Sequence, residues 1–173
     1  EEEEAALPGA PEEFKIGVVA FFSGGAAAPF GVPARNAAEA LIEEINAGNA
    51  PEPYGTAGIA GVPLTAVYVD ESGGAEQQVS EFRRLFLEED VDVVIGYISS
   101  TDCLAVAPVA DEIQGLTIAF DCGTARLFEE AEYDYIFRKP FPQFPENIKV
   151  FGNFAIPEAR ILAWDPMGRL HSG

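Results

Sequence analysis

At 173 residues, 48% of them apolar and 23% charged, the chain has a globular composition and enough length for one domain of ordinary size. Its 10 Lys and Arg face 29 Asp and Glu, a net charge of −19, which argues against nucleic acid and anionic membrane as partners. One His (His171) and two Cys (Cys103 and Cys122) are too few for a His/Cys zinc site or a disulfide framework. No apolar run approaches the roughly 18 residues of a membrane span.

Residues 1–13 (EEEEAALPGAPEE) are acidic and punctuated by Pro and Gly. They are expected to form a disordered leader, the kind of tether that follows a processed or lipid-anchored N-terminus. No basic segment followed by an apolar one opens the chain, so an exported form would already have lost its signal.

Phe14 to Phe22 is a continuous apolar run, expected as a strand buried on both faces. Ser23 to Gly31 is a loop of small residues. From Pro33 to Ala47 the pattern turns helical, with Ala34, Ala38, Leu41, Ile42 and Ile45 on one stripe and Glu39, Glu43 and Glu44 largely opposite. Pro33 suits the first turn of that helix and Gly48 its stop. Asn49 to Gly61 is a surface loop rich in Pro, Gly and Ala.

Val62 to Asp70 predicts a second strand, closed by Glu71-Ser72-Gly73-Gly74. Ala75 to Glu89 predicts a second helix, with Val79, Phe82, Leu85 and Phe86 inward. Val91 to Tyr97 predicts a third strand. Ser99 or Ser100 can cap a third helix from Thr101 to Ile113. Leu116 to Asp121 predicts a fourth strand, Cys122 to Phe128 a short helical piece, and Tyr135 to Lys139 a fifth strand. Beyond Lys139 the pattern degrades. Pro140 to Pro145 breaks regular structure, and only Asn147 to Phe154 and Ala159 to Trp164 read as strands. There is no internal repeat.

Alternation of short strands with helices predicts an α/β fold: a parallel-sheet, Rossmann-like lobe with helices on both faces. Residues 14–140 form the lobe, and residues 141–173 a hinge or residual C-terminal segment.

In an open parallel sheet, ligands bind beyond the carboxyl ends of the strands. Three loops qualify: Phe22 to Phe30, Ile98 to Asp102, and Asp121 to Arg126. Each precedes a helix N-terminus, whose free N–H groups and dipole suit an anion. Ser99, Ser100 and Thr101 can donate hydroxyl hydrogen bonds to a carboxylate, or serve only as caps and turn residues. Cys122-Gly123-Thr124 is the second cluster, where Gly123 permits close backbone approach or simply makes a turn. Asp121 and Asp102 can accept from an ammonium group, and Asp102 can equally stabilise the helix N-terminus. Cys103 and Cys122 lie near the ends of consecutive strands, where a disulfide and two buried thiols are both open.

Catalytic signatures are absent. With His171 near the end of the chain there is no Ser/His/Asp set. Ser23-Gly24-Gly25-Ala26 is not a G-x-G-x-x-G turn, and no G-x-x-x-x-G-K-[ST] occurs. No cofactor is expected.

Three stretches together resemble a known family. IGVVAFFSGGAAAPFGVPARNAAEALIEEIN is similar to the opening of type I periplasmic binding proteins of the branched-chain amino-acid transport kind. That opening is a strand, a small-residue loop, and a helix carrying an R-N-(small)-(small)-x-A-(apolar)-x-E-I-N pattern. VYVDESGGAEQQVSEFRRLFLEEDVDVVIGYISSTDCLAVAPVADE resembles the next block, with its strand ending in Asp, its V-D-x-(V/I)-I-G strand, serine-rich turn and A-V-A-P-V-A helix. DCGTARLFEE and YDYIFRKP resemble the A-G-T-x-x-L turn and the Y-(I/V)-F-R stretch leading to a second lobe. The match covers Phe14 to Pro140.

The resemblance implies a two-lobed receptor that closes on amino acids or similar small carboxylate, amide or aromatic solutes and delivers them to an ABC permease. It implies a periplasmic or extracellular location, with the leader as a membrane tether. It places the ligand's polar ends at Ser99 and Ser100 and at Cys122-Gly123-Thr124, and an aromatic wall at Phe22 and Phe30. Where members carry Ser-Pro-Gly-Ala-Thr or similar before the fourth-strand turn, this chain has Ala119 to Thr124, so Phe120 and Asp121 reshape the pocket. Family members are far longer, so the second lobe is largely missing here. A lone lobe binds weakly without a second wall, and exposed Phe141, Phe144, Phe151 and Phe154 would favour a homodimer through the open face. The competing readings are a ligand-sensing regulatory domain of the same fold, and a nucleotide-binding or enzymatic Rossmann-like domain, for which the phosphate loop is missing.

Overall fold

A computed structural model describes residues 9–51 and 55–138, all within the compact unit Glu1–Lys139. The two C-terminal strand expectations, the four C-terminal phenylalanines, His171 and the first eight leader residues lie outside the described residues.

Five strands, β1 (Phe14–Ala20), β2 (Leu64–Asp70), β3 (Val93–Gly96), β4 (Thr117–Ala119) and β5 (Ile136–Arg138), form one sheet in the order β2-β1-β3-β4-β5. Every pairing is parallel. Helices α1 (Val32–Asn46), α2 (Ala75–Leu87), α3 (Ser100–Ile113) and the single turn α4 (Arg126–Glu129) make the crossovers. The chain steps from β1 outward to β2, then returns past β1 to β3. Crossovers of one hand therefore put α1 on one face and α2 and α3 on the other.

Side chains confirm that division. Val19 and Val69 pair in register and join the main core with Phe82 and Leu85 of α2 and Val106 and Ala110 of α3. Tyr68 points to the opposite face, and there the Arg35 guanidinium of α1 lies 5.0 Å from its ring centroid. Phe82 and Leu85 are fully buried, while Val79 and Phe86 pack half-buried around them. On α1, Ala34, Ala38, Ile42 and Ile45 are half-buried, but Leu41 is 62% exposed. The inward stripe runs through positions 34, 38, 42 and 45. Leu41, about 100° round the helix from Ile42, lies just outside the edge of that stripe.

The face that α1 covers is only partly covered. Val18, Ile95, Ile118 and Phe137 share it by register. Toward β4 and β5, Ile118 remains 38% exposed and Phe137 44%.

Strand ends differ from the apolar runs by at most two residues, and the helical piece expected over Cys122 to Phe128 is the turn Arg126–Glu129. β1 stops at Ala20 because the Phe22 N–H goes to the Asp70 carboxylate instead of a strand partner. The loop after β1 contains one wide helical turn, Ala27–Gly31. A Cβ at Gly31 would fall onto the Phe21 backbone, so this close approach needs glycine. Gly48, at φ +74°, ends α1 as the sequence predicts, its N–H bonding the Ile45 carbonyl at 3.0 Å.

Candidate functional site

The three candidate loops all leave the carboxyl edge of the sheet, and the strand order reverses between β1 and β3. The first loop and the serine turn thus flank a topological switch point. A charged side chain on or just beyond a strand end holds the backbone of each loop.

Asp70, the last residue of β2, holds the first loop. Its Oδ1 accepts from the Phe22 N–H and the Ser72 N–H, both at 3.0 Å, and the Ser23 and Ser72 hydroxyls bond across the two loops at 3.1 Å. Burial alone would raise its carboxyl. Hydrogen bonds from Ser23, Ser72 and Phe22 outweigh that and hold it at about 2. Phe22 is half-buried, its ring edge-on to Tyr68 at 6.2 Å and under Arg35 at 5.6 Å. Phe30 is 53% exposed on the wide turn.

Glu71 holds the serine turn. It is fully buried, and its two oxygens take the Ile98 N–H at 2.9 Å while Oε1 also takes the Ser99 N–H at 2.6 Å. Burial pushes its carboxyl up to about 7 against those hydrogen bonds, with Asp102 and Asp121 adding to the rise. Ser99 is the N-cap of α3, its Oγ accepting from the Asp102 N–H at 3.3 Å. Ser100 opens the helix half-buried, Thr101 is exposed, and Asp102 is buried with its carboxyl raised by that burial.

Arg138, the last residue of β5, holds the third loop. It is buried, and its Nη1 donates to the carbonyls of Thr124 and, at 3.4 Å, of Cys122. Its guanidinium lies 5.3 Å from the Phe128 ring centroid. Cys122 is buried and joined by a disulfide to Cys103 in the first turn of α3, with Cα atoms 6.3 Å apart. This resolves the open thiol question and staples the third loop to the helix that the serine turn begins. Asp121 and Thr124 are half-buried and Gly123 exposed. A Cβ at Gly123 would meet nothing, so the turn itself does not require glycine there.

Phe22 and Asp121 to Thr124 thus lie on loops, and Ser99 to Asp102 on the turn that opens α3, all at one edge of the sheet. Sequence reading took Asp70 as a strand end, Glu71 as a turn residue and Arg138 as part of a strand. The available signal was the type of residue: ionised groups where a parallel strand meets its loop, positions that burial forces to find partners. Among the described residues no three His, Cys, Asp or Glu are grouped to hold a metal.

A family model described as periplasmic binding protein matches residues 13–161. None of the curated proteins matches the chain significantly. Several solved structures are similar. One is a solute-binding protein of an ABC transporter from Rhodopseudomonas palustris in complex with 3,4-dihydroxybenzoic acid. It is 23% identical, with TM-score 0.60 over 74% of this chain and 32% of that one. A branched-chain amino acid transporter substrate-binding protein from Streptococcus pneumoniae, in complex with isoleucine, is 24% identical. Its TM-score is 0.62 over 75% of this chain and 34% of that one. A periplasmic binding protein from Burkholderia mallei is 25% identical, with TM-score 0.58 over 72% of this chain and 31% of that one. The chain spans about a third of the length of these structures. A parallel α/β lobe and a family match over most of its length lead to one conclusion: the chain belongs to the periplasmic binding proteins of type I.

Proposed function

We propose that this chain is the N-terminal, solute-binding lobe of an extracytoplasmic receptor. It carries an amino acid or a small aromatic acid to an ABC permease. The observation that carries this reading is the anchoring of all three carboxyl-edge loops by Asp70, Glu71 and Arg138. A binding site gains affinity when its loops are fixed before the ligand arrives.

The polar end of the solute sits between the serine turn and the Thr124 turn. Glu71 already occupies the Ile98 and Ser99 N–H groups, and Ser99 Oγ caps the helix. The hydroxyls left to meet a solute carboxylate are those of Ser100, Thr101 and Thr124, aided by the positive end of α3. Phe22 and Phe30 stand on the side of the first loop. Bound ligands of both proposed kinds, isoleucine and a dihydroxybenzoic acid, occur in the similar solved structures.

Calorimetric titration with isoleucine and 4-hydroxybenzoate tests the assignment. Ser100→Ala and Thr124→Ala are each expected to weaken binding of the preferred solute by about 1.5–3 kcal/mol, the value of a hydrogen bond to a charged group. Unchanged affinity in both variants would remove the carboxylate from this seat.

A further inference from the structure

Glu71 stands apart from the other acids among the described residues. It is fully buried at the carboxyl end of the sheet, and it spends both oxygens on the backbone of a neighbouring loop. The amides it takes, Ile98 and Ser99, directly precede α3 and would otherwise be open to a ligand anion. We propose that Glu71 is the positioning residue of the serine turn, coupling the geometry of the solute seat to the charge on its own carboxylate. This rests on reading that turn as part of the seat.

The coupling follows from acceptor chemistry. An ionised carboxylate accepts from both amides with strong, charge-assisted bonds. A protonated carboxyl turns Oε2 into a donor, so the second contact to the Ile98 N–H is lost and Oε1 alone holds both N–H groups, without the charge assistance. The turn is then held through fewer bonds, and the hydroxyls it presents lose their fixed spacing. Burial favours the protonated form near neutrality, and the charges of Asp102 of α3 and Asp121 beyond β4 add to it. The buried Tyr97 phenol, after β3, lies in the same field, together with Glu81 of α2. Gln78 of α2 donates from Nε2 to the Asp70 and Ser72 carbonyls on either side of Glu71, fixing the backbone from which it reaches. Asp70 itself is committed to Phe22 and Ser72. A more acidic medium therefore loosens the seat, and a more basic one sets it.

The full chain, labelled with ¹⁵N, tests this by following the amide signals of Ile98 and Ser99 from about pH 5 to pH 9. The expected result is a common titration of both amides with a midpoint near 7, absent in Glu71→Gln. Should that variant not fold, Asp102→Asn and Asp121→Asn leave Glu71 in place and are expected to lower the midpoint by removing neighbouring negative charge. Amides that do not titrate, that titrate unchanged in Glu71→Gln, or that keep their midpoint in both Asn variants would overturn the proposal. Added isoleucine or 4-hydroxybenzoate separates the two readings. Coupling predicts at least about fivefold tighter binding at pH 8.5 than at pH 5.5 in the wild type and a flat profile in Glu71→Gln. Titrating amides with no response to either solute would support Glu71 as the positioning residue of the turn and overturn that turn as the seat.

Discussion

Asp70 and Glu71 are adjacent carboxylates that pull stability in opposite directions as pH changes. Asp70 is held at about 2, below its ordinary 3.8. It contributes stability above that ordinary value, which is lost as pH falls through the folded one. Glu71 is raised to about 7 from 4.5. The folded state then binds more protons than the unfolded state between those values, so stability falls as pH rises through that window and is fully recovered below it. Thermal unfolding is expected to show a melting temperature that climbs from pH 8 to about 5 and drops below about 3.8. Glu71→Gln should flatten the upper limb and leave the lower one. A melting temperature rising steadily to pH 8 would contradict the buried, proton-binding Glu71.

Ser99 carries a smaller, separable effect. It caps α3 through Asp102 N–H, and Ser99→Ala is expected to cost about 1 kcal/mol in denaturant unfolding. Ser100→Ala, one residue into the helix, should leave stability almost unchanged while affecting solute binding. Equal destabilisation by both would mean that the turn has only a capping role.

At the scale of elements, the disulfide is the strongest local constraint on the site. It links the first turn of α3 to the loop after β4 across 19 residues of chain, a loop whose closure is worth roughly 3 kcal/mol in the unfolded state. Reduction should lower the unfolding free energy by that order and raise hydrogen exchange most in the Cys122 to Thr124 turn. Urea unfolding with and without reductant checks this, and identical midpoints would deny the bond a structural role. The elements themselves were largely legible in the sequence. Apolar runs with the period of a buried strand marked all five strands, and Pro33 and Gly48 marked the ends of α1. What pattern could not supply was the exact end of β1. Phe21 and Phe22 are as apolar as the strand before them, yet a carboxylate from β2 takes the Phe22 amide. Periodicity reports burial and does not report which acceptor an amide finds. For the same reason the three loops could be found from strand ends, while the three charges that hold them could not.

At the scale of the whole molecule, the sheet order sets the chemistry. Placing β1 between β2 and β3 puts the first loop and the serine turn at neighbouring strand ends on the carboxyl edge, and the β3–β4 pairing adds the loop that carries Thr124 beside them. The half of the α1-side face that carries Ile118 and Phe137 remains partly exposed among the described residues. The net charge of −19 bears on solubility and association and leaves the fold undetermined.

The central claim is that solute binds at the carboxyl edge, between the serine turn and the Thr124 turn. Amide shift mapping on the full chain, titrated with isoleucine and with 4-hydroxybenzoate to millimolar concentration, tests it most directly. The account predicts that one solute moves the signals of Phe22, Ser100 to Asp102 and Gly123 to Thr124, and leaves the α2 and β5 signals in place. Shifts centred on the exposed Ile118 and Phe137 face, or none with either solute, would contradict it.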